Sequence, residues 1–293
     1  MPTVLIKNVH LTKLDVPYED KNKSILLMPG DIKSYHYEDF EFSKKLLRDF
    51  NRKIVVVNNV QAGKVIPIKG VKIRTMSLPY FHSVVRTGLW RGRSCFILGG
   101  GPSINAIDLD LLKDKYTIGV NRIFERFDPT ILFSMDSRFY GWIKSGTFGE
   151  DVKKKFEDFP NYKVWVDTHK YAGFDSDIYI VKSAGLRAMT KTLEEGVGHG
   201  YNSGYAALNL AICLGANPIY LLGFDMEKGK NSGKQINWHE KYPVQQSDNV
   251  YNTFIKNFQW AAPIIKRRGI RVINLYRNSG LKMFPFDDLE NVI

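Results

Sequence analysis

Apolar and polar residues alternate in two different ways along the last two thirds of the chain. Short runs rich in β-branched and aromatic residues predict buried strands, and seven of them follow residue 93: CFILGG, YTIGVNRI, ILFSMD, KVWVDT, IYIVKS, PIYLLGFDM and IRVINLY. Apolar residues at helical spacing predict helices between these runs, over INAIDLDLLKD, SGYAALNLAICLG and YNTFIKNFQWAAPIIKRRG. Strands that alternate with helices predict an α/β fold. Its mostly parallel, Rossmann-like sheet has helices on both faces and ligands at the carboxyl ends of its strands.

The first 93 residues have a weaker pattern and a different charge. KSILLMPGD and RKIVVVNNV predict two buried strands, and YEDFEFSKKLLRDF between them has apolar residues at helical spacing. Residues 1–93 carry 17 Lys and Arg against 8 Asp and Glu, whereas residues 94–293 carry 25 against 22. We therefore predict a small basic α/β region over residues 1–93 and a separate ligand-binding, catalytic domain over residues 94–293.

The overall composition narrows the class of protein. The chain has 293 residues, 44% of them hydrophobic, and a net charge of +12, which suits a soluble globular protein. No apolar run approaches the ~20 residues that span a bilayer, and the start lacks a signal-peptide layout, so we expect a cytoplasmic protein. Cys95 and Cys213 each lie in an apolar segment, which predicts reduced, buried thiols.

The basic front region has two interpretations. Such a positive field attracts polyanions, for example nucleic acid, anionic glycans or phospholipid headgroups, and the aromatic and basic segment from Tyr80 to Arg93 would suit nucleic acid. The alternative is a solvated basic surface that serves only solubility.

The glycines at residues 99–101 form the first candidate site. They follow an apolar strand, Pro102 can begin a helix, and Ser103 can cap it or bind a ligand. Glycines at such a junction let a phosphate approach backbone N–H groups at a helix start. A third Rossmann glycine is missing at Ile104, and a P-loop lysine is absent, so dinucleotide and Walker-type ATP sites are disfavoured. A plain tight turn is the alternative.

A second junction in GHGYNSGYAALNLAICLG has the same character. Ser203 is predicted as the N-cap of an apolar, buried helix that ends at Gly215. Its amino end would add free N–H groups, although Ser203 could serve only as a cap.

Polar residues also follow the predicted strands. Asp136, Asp225 and Asn121 stand at strand ends, where carboxylates or amides can bind ribose hydroxyls, a base edge or a metal, or can cap a loop. His239 lies in a polar loop that could serve as a lid. It is a candidate general base or a solvated side chain.

Four segments in this order carry a family resemblance: LGGGPSINAIDLDLL, GVNRIF, YNSGYAALNLAICLGANPIYLLGFDM and INLYRNSGLKMF. Over residues 94–285 the chain resembles the bacterial sialyltransferases of glycosyltransferase family 42. It also resembles the related Maf-type flagellin glycosyltransferases and the archaeal hydroxymethylpterin diphosphokinase group. The resemblance implies that two glycine-lined turns hold the phosphate of a nucleotide sugar, and that an asparagine and a Gly-x-Asp strand end contact the nucleoside.

The resemblance assigns these donor contacts to nine positions: Gly99, Gly101, Ser103, Asn121, Asn202, Ser203, Gly204, Gly223 and Asp225. It implies His239 as the base that deprotonates the acceptor hydroxyl, and transfer without a metal. The chain departs from the sialyltransferase pattern at Asp136, which replaces an asparagine, and at Gly200, which replaces an arginine. Residues 226–228 replace the expected tyrosines. These departures concern sialic acid rather than a nucleotide-activated donor.

These residues lead to one main hypothesis and two alternatives. The main one is a glycosyltransferase that moves a sugar from a CMP-sugar-like or UDP-sugar donor to a polyanionic acceptor: a surface glycan, a protein or a modified DNA base. Here His239 and Asp136 are the candidate catalytic residues, and no cofactor is required. The first alternative is an ATP-dependent pyrophosphokinase of a pterin-like heterocycle, with Asp136 on Mg²⁺. The second is a non-catalytic nucleic-acid-binding or structural protein. The sequence does not determine whether the chain forms a homo-oligomer.

Overall fold

The computed structural model describes residues 80–167, 174–175, 177–226, 237–239, 242–244 and 250–293, together with the backbone of six strands before residue 80. The chain divides into two compact units: Met1–Ser77 with His82–Val85, and Leu78–Phe81 with Arg86–Ile293. The functional division predicted near residue 93 stays a prediction.

The first unit contains six described strands, all paired antiparallel. Its strands are β1 (Thr3–Lys7), β2 (Leu14–Pro17), β3 (Ser24–Leu27), β4 (Ile32–His36), β5 (Val55–Gln61) and β6 (Lys64–Ile66). Four of them form a sheet in the order β4-β1-β5-β6, and β2 pairs with β3. The strands predicted in KSILLMPGD and RKIVVVNNV are therefore confirmed as β3 and β5. The helix predicted over residues 37–50 lies outside the described residues.

The second unit contains an eight-stranded parallel sheet. Its strands are β7 (Cys95–Leu98), β8 (Tyr116–Val120), β9 (Ile131–Ser134), β10 (Tyr162–Asp167), β11 (Ile178–Gly185), β12 (Val197–Gly198), β13 (Ile219–Leu222) and β14 (Val272–Asn274). The order is β12-β11-β10-β9-β8-β7-β13-β14 with every pair parallel. The predicted α/β class with a parallel, Rossmann-like sheet is confirmed, and its strand order reverses between β7 and β13.

Four α-helices accompany the sheet within the described residues: α1 (Ser137–Lys144), α2 (Glu150–Glu157), α3 (Ser203–Cys213) and α4 (Val250–Arg267). Every residue of α3 is buried, as its nearly unbroken apolar sequence predicts. The short helices α1 and α2 were not predicted. No helix among the described residues combines the length and the apolar character needed to cross a membrane.

The helix predicted over INAIDLDLLKD is wrong. The chain there makes two short 3-10 turns, Pro102–Ala106 and Leu109–Leu112, with Ile107 extended between them at φ −103°. The side chain of Asp108 accepts a hydrogen bond from the amide of Asp110 (3.0 Å), which starts the second turn separately. No α-helix therefore follows the first glycines, and no aligned helix dipole points at them.

The core covers both faces of the sheet. All four residues of β7 and of β13 are buried although neighbouring side chains point to opposite faces. Both cysteines are free and buried, which confirms the predicted buried thiols. Burial raises the pKa of the Cys95 thiol and raises that of Cys213 to about 12, so both stay protonated at neutral pH.

Candidate functional site

The candidate residues gather where four parallel strands end. Strands β7, β8, β9 and β13 are neighbours or near neighbours in the sheet, so the turns that follow them lie along one edge. The reversal between β7 and β13 falls at this edge. Most of the predicted site residues occupy these turns or the start of α3.

The first glycine turn packs directly on the turn after β13. The amide of Gly99 donates to the carbonyl of Leu222 (2.7 Å). The amide of Gly101 donates to the carbonyl of Gly223 (2.8 Å). A Cβ at Gly99 would lie 2.6 Å from the Gly223 oxygen, and one at Gly101 would lie 2.1 Å from Oδ1 of Asp225. Glycine is therefore required here by contact within the chain. The expectation that these two amides are open to a phosphate is wrong, because they already donate to carbonyls.

Asp225 fixes the other end of this turn. The residue is buried, with 7% of its surface exposed. Its Oδ1 accepts from the Ser103 hydroxyl (2.5 Å), and its Oδ2 accepts from the Ser103 amide (3.0 Å). Ser103 is thus bound to Asp225 and is not a helix cap. The ribose contact predicted for Asp225 stays a prediction.

The second turn is capped by a residue other than the predicted one. Asn202 is the N-cap of α3, and its Oδ1 accepts from the amide of Tyr205 (3.0 Å). Ser203, predicted as the cap, is the first helical residue. Its hydroxyl accepts from the amide of Met135 (3.3 Å), which joins the start of α3 to the end of β9. Asn202 rather than Ser203 is the N-cap because the Asn202 side chain reaches the amide three residues further along the chain.

Gly204 is also explained by packing. A Cβ at this position would lie 2.6 Å from the ring of Phe224 and 2.9 Å from Oδ1 of Asn202. Gly223 in the turn before Phe224 has φ +68°, a conformation that glycine adopts without strain. The glycines in both turns therefore bring α3 and the ends of β7 and β13 into close contact.

Asp136 is engaged by its own helix. It is the N-cap of α1 and accepts from the amide of Arg138 (2.9 Å). The Arg138 guanidinium also donates to both carboxylate oxygens (3.1 and 3.0 Å). In the described ranges no three side chains of His, Cys, Asp or Glu are placed to hold a metal ion together. A Mg²⁺ ion at Asp136 stays a prediction, and it would compete with Arg138.

Asn121 has an unusual position at the end of β8. Its φ is +53°, in the left-handed region that asparagine adopts more readily than other non-glycine residues. Its Oδ1 is buried and has no hydrogen-bond partner in the described part of the chain. The Asn121 side chain hydrogen-bonds the hydroxyl of Tyr242. Burial raises the pKa of this hydroxyl, and the hydrogen bond from Asn121 lowers it by a smaller amount. Asn121 therefore places at the edge of the sheet a buried acceptor that no described residue satisfies.

His239 lies beside the first glycine turn. The amide of the preceding Trp238 donates to the carbonyl of Gly100 (3.0 Å), which fixes this short segment next to the end of β7. The His239 ring contacts the ring of Tyr242 edge-on at 4.7 Å between centroids. The structure thus brings His239 and Asn121 into one cluster, joined through Tyr242.

Arg122 is a member of this cluster that sequence reasoning missed. Its Nη1 lies 3.2 Å from Nδ1 of His239. The guanidinium also pairs with Glu125, with 2.7 Å from Nη2 to Oε2, and lies over the ring of Phe148 at 4.4 Å. Arg122 is only 9% exposed. The sequence feature that could have identified Arg122 is its position directly after the strand-end Asn121 in GVNRIF.

The fold and this cluster define a Rossmann-like α/β protein with a polar site at the carboxyl edge of its sheet. No protein-family model and no curated protein matches the chain.

Among solved structures, the chain is similar to the sialyltransferase CST-II in complex with a trisaccharide acceptor and CMP. The identity is 16%, the TM-score is 0.40, and the match covers 66% of this chain and 85% of that one. It is also similar to the monofunctional α-2,3-sialyltransferase Cst-I from Campylobacter jejuni. There the identity is 16% and the TM-score 0.41, with coverage of 66% and 80%. At this level, the likeness carries no functional assignment.

Proposed function

We propose that the chain is a glycosyltransferase that binds a nucleotide sugar at the carboxyl edge of the parallel sheet and transfers the sugar to an acceptor hydroxyl. The observation that carries this proposal is the buried Oδ1 of Asn121, which has no hydrogen-bond partner among the residues that the structure describes. A buried acceptor without a donor costs about 1–3 kcal/mol. A ligand that supplies an N–H or O–H group would remove this cost.

A nucleotide offers hydrogen-bond donors that could bind Oδ1 of Asn121. Ribose hydroxyls, the amino group of cytosine and the N3–H of uracil can each donate to a carboxamide oxygen. The motif order described above also assigns the nucleoside contact to Asn121. We therefore propose a CMP- or UDP-sugar as the donor.

The neighbouring side chains suit the phosphate of such a donor. His239 follows Trp238, whose amide donates to the carbonyl of Gly100 in the first glycine turn, and Arg122 contacts His239. These two side chains supply a cation and a ring N–H group. When an acceptor oxygen attacks the anomeric carbon, the bond from that carbon to the phosphate oxygen breaks, and negative charge grows on the phosphate. Fixed donors near this oxygen would stabilise that charge. The proposal needs no metal ion.

For the acceptor, we propose a polyanion: a surface glycan, a protein or a modified DNA base. The support is the charge of residues 1–93, which carry 17 cationic against 8 acidic residues. Such a surface increases the local concentration of an anionic partner.

Replacing Asn121 by glycine tests the nucleotide site. Glycine adopts the positive φ without strain, but the hydroxyl of Tyr242 loses its hydrogen bond to the Asn121 side chain. We therefore expect the variant to stay folded, with an unfolding temperature somewhat below that of the wild type. Stabilisation by CMP or UDP, measured by thermal shift, should fall because Oδ1 is gone. A tenfold loss of affinity corresponds to about 1.4 kcal/mol.

The matched control is Asn105→Gly, which lies in a 3-10 turn and contacts Arg126 rather than the cluster. This variant should keep the nucleotide-dependent shift. Equal nucleotide stabilisation in Asn121→Gly and the wild type would remove Asn121 from the binding site.

A further inference from the structure

The hydrogen bond between Arg122 and His239 determines which ring nitrogen carries the proton. A guanidinium only donates hydrogen bonds, so Nδ1 of His239, 3.2 Å from Nη1 of Arg122, must be the acceptor. In a neutral imidazole the proton then lies on Nε2. A general base needs an unprotonated nitrogen facing its substrate. Nε2 does not meet this requirement in this arrangement.

The surroundings hold Arg122 in place and oppose a positive charge on the ring. Arg122 is fixed by its ion pair with Glu125 and by the ring of Phe148. Uptake of a proton by His239 would put an imidazolium beside the guanidinium, and two like charges at this distance repel each other. Glu125 offsets part of this repulsion. The ring of Tyr242, in the segment 242–244, also faces His239. Burial raises the pKa of the Tyr242 hydroxyl, so Tyr242 stays neutral and adds no charge beside His239.

We propose that His239 is a hydrogen-bond donor, through Nε2, to the phosphate of the leaving nucleotide, and that Arg122 is the positioning residue that fixes this tautomer. This inference rests on the proposed function. It replaces the general-base role predicted for His239.

The transfer step remains balanced with this assignment. The acceptor oxygen forms a bond to the anomeric carbon, and the electron pair of the breaking bond passes to the phosphate oxygen. The Nε2–H group of His239 donates a hydrogen bond to that oxygen and keeps its proton. The proton of the acceptor hydroxyl leaves to solvent water.

Two substitutions of His239 separate a donor from a base. A glutamine amide can place an N–H group near the position of Nε2, but it cannot take up a proton at neutral pH. We expect His239→Ala to lower kcat/KM by roughly 100-fold and His239→Gln to stay within about tenfold of the wild type. A glutamine variant as inactive as the alanine variant would overturn the donor role.

The dependence of kcat/KM on pH distinguishes a donor from a base, and a purely structural role of His239 would not change it. Nε2 donates whether the ring is neutral or charged, so kcat/KM of the wild type and of His239→Gln should respond in the same way between about pH 7.5 and pH 5.5. A wild-type rate that falls tenfold per pH unit on the acid side, with no such fall in His239→Gln, would restore the base.

The tautomer can be measured without any activity. Nitrogen-15 NMR of the full chain, labelled at histidine, should show His239 with a protonated Nε2 and an unprotonated Nδ1. The preference for a proton on Nε2 should weaken in the Arg122→Met, Glu125→Gln double variant. The second substitution is included because Arg122→Met alone would leave the Glu125 carboxylate without its ion-pair partner. A proton on Nδ1 in the wild type would overturn the inference directly. A wild type that consumes no nucleotide sugar would instead overturn the proposed function and the phosphate role with it, whatever tautomer is found.

Discussion

Replacing Gly101 by alanine should lower the free energy of unfolding by about 2–4 kcal/mol, because overpacking and a lost hydrogen bond act together. The backbone at Gly101 has φ −70° and ψ 152°, which alanine adopts freely. The cost is therefore steric: the new Cβ would lie 2.1 Å from Oδ1 of Asp225. To make room, Asp225 must move away from Ser103. The midpoint of thermal unfolding should fall by roughly 5 to 10 °C for a unit of this size.

Gly100 supplies the matched control for this prediction. A Cβ there would find Oδ1 of Asn237 at 3.5 Å, an ordinary contact. Gly100→Ala should therefore unfold close to the wild-type temperature in the same denaturation experiment. If Gly101→Ala and Gly100→Ala proved equally stable, the interlocked packing of the two turns would be disproved.

The second large effect is expected at Asp225. In Asp225→Ala, the hydroxyl and the amide of Ser103 both lose their acceptor. Partly buried donors left without a partner cost about 1–3 kcal/mol each, so we expect a total loss of about 2–6 kcal/mol in urea unfolding. Asp288→Ala is a suitable control, since Asp288 forms an exposed ion pair with Arg277. Exposed pairs contribute little, and this variant should unfold near the wild-type midpoint.

A double-mutant cycle with Ser103→Ala identifies the cause. Contacting residues that share a hydrogen bond show coupling energies of about 0.5–3 kcal/mol. The effects of Asp225→Ala and Ser103→Ala should therefore not add. Strictly additive losses would mean that Asp225 acts through some contact other than Ser103.

The parallel sheet could be predicted because its strands are buried on both faces. Burial of every residue produces unbroken apolar runs such as those of β7 and β13, and these runs are visible without any knowledge of the fold. Helix α3 was predictable for a similar reason, since all its residues are buried and its sequence is apolar almost all round.

The turn after β7 could not be predicted, because a distant residue determines it. Ser103 is bound by Asp225, which lies 122 positions further along the chain. This tertiary contact holds a 3-10 turn where local spacing favours an α-helix. For the same reason, glycines that look like a phosphate-binding loop prove to be required for contact with a second turn.

The site could be predicted in part. Asn121 and His239 were identified from their positions after a strand and in a polar loop. Their connection through Arg122 and Tyr242 depends on the folded chain. The tautomer of His239 follows from the Arg122 contact, which joins residues 117 positions apart. No local pattern in the sequence carries this information.

The most direct test of the proposed function is nucleotide release from a panel of CMP- and UDP-sugars, followed by mass spectrometry with EDTA present. The wild-type chain should cleave at least one of these donors in EDTA, and Asn121→Gly and His239→Ala should do so more slowly. Intact nucleotide sugars throughout, together with Mg²⁺-dependent formation of AMP from ATP and a pterin, would contradict the proposed glycosyltransferase function.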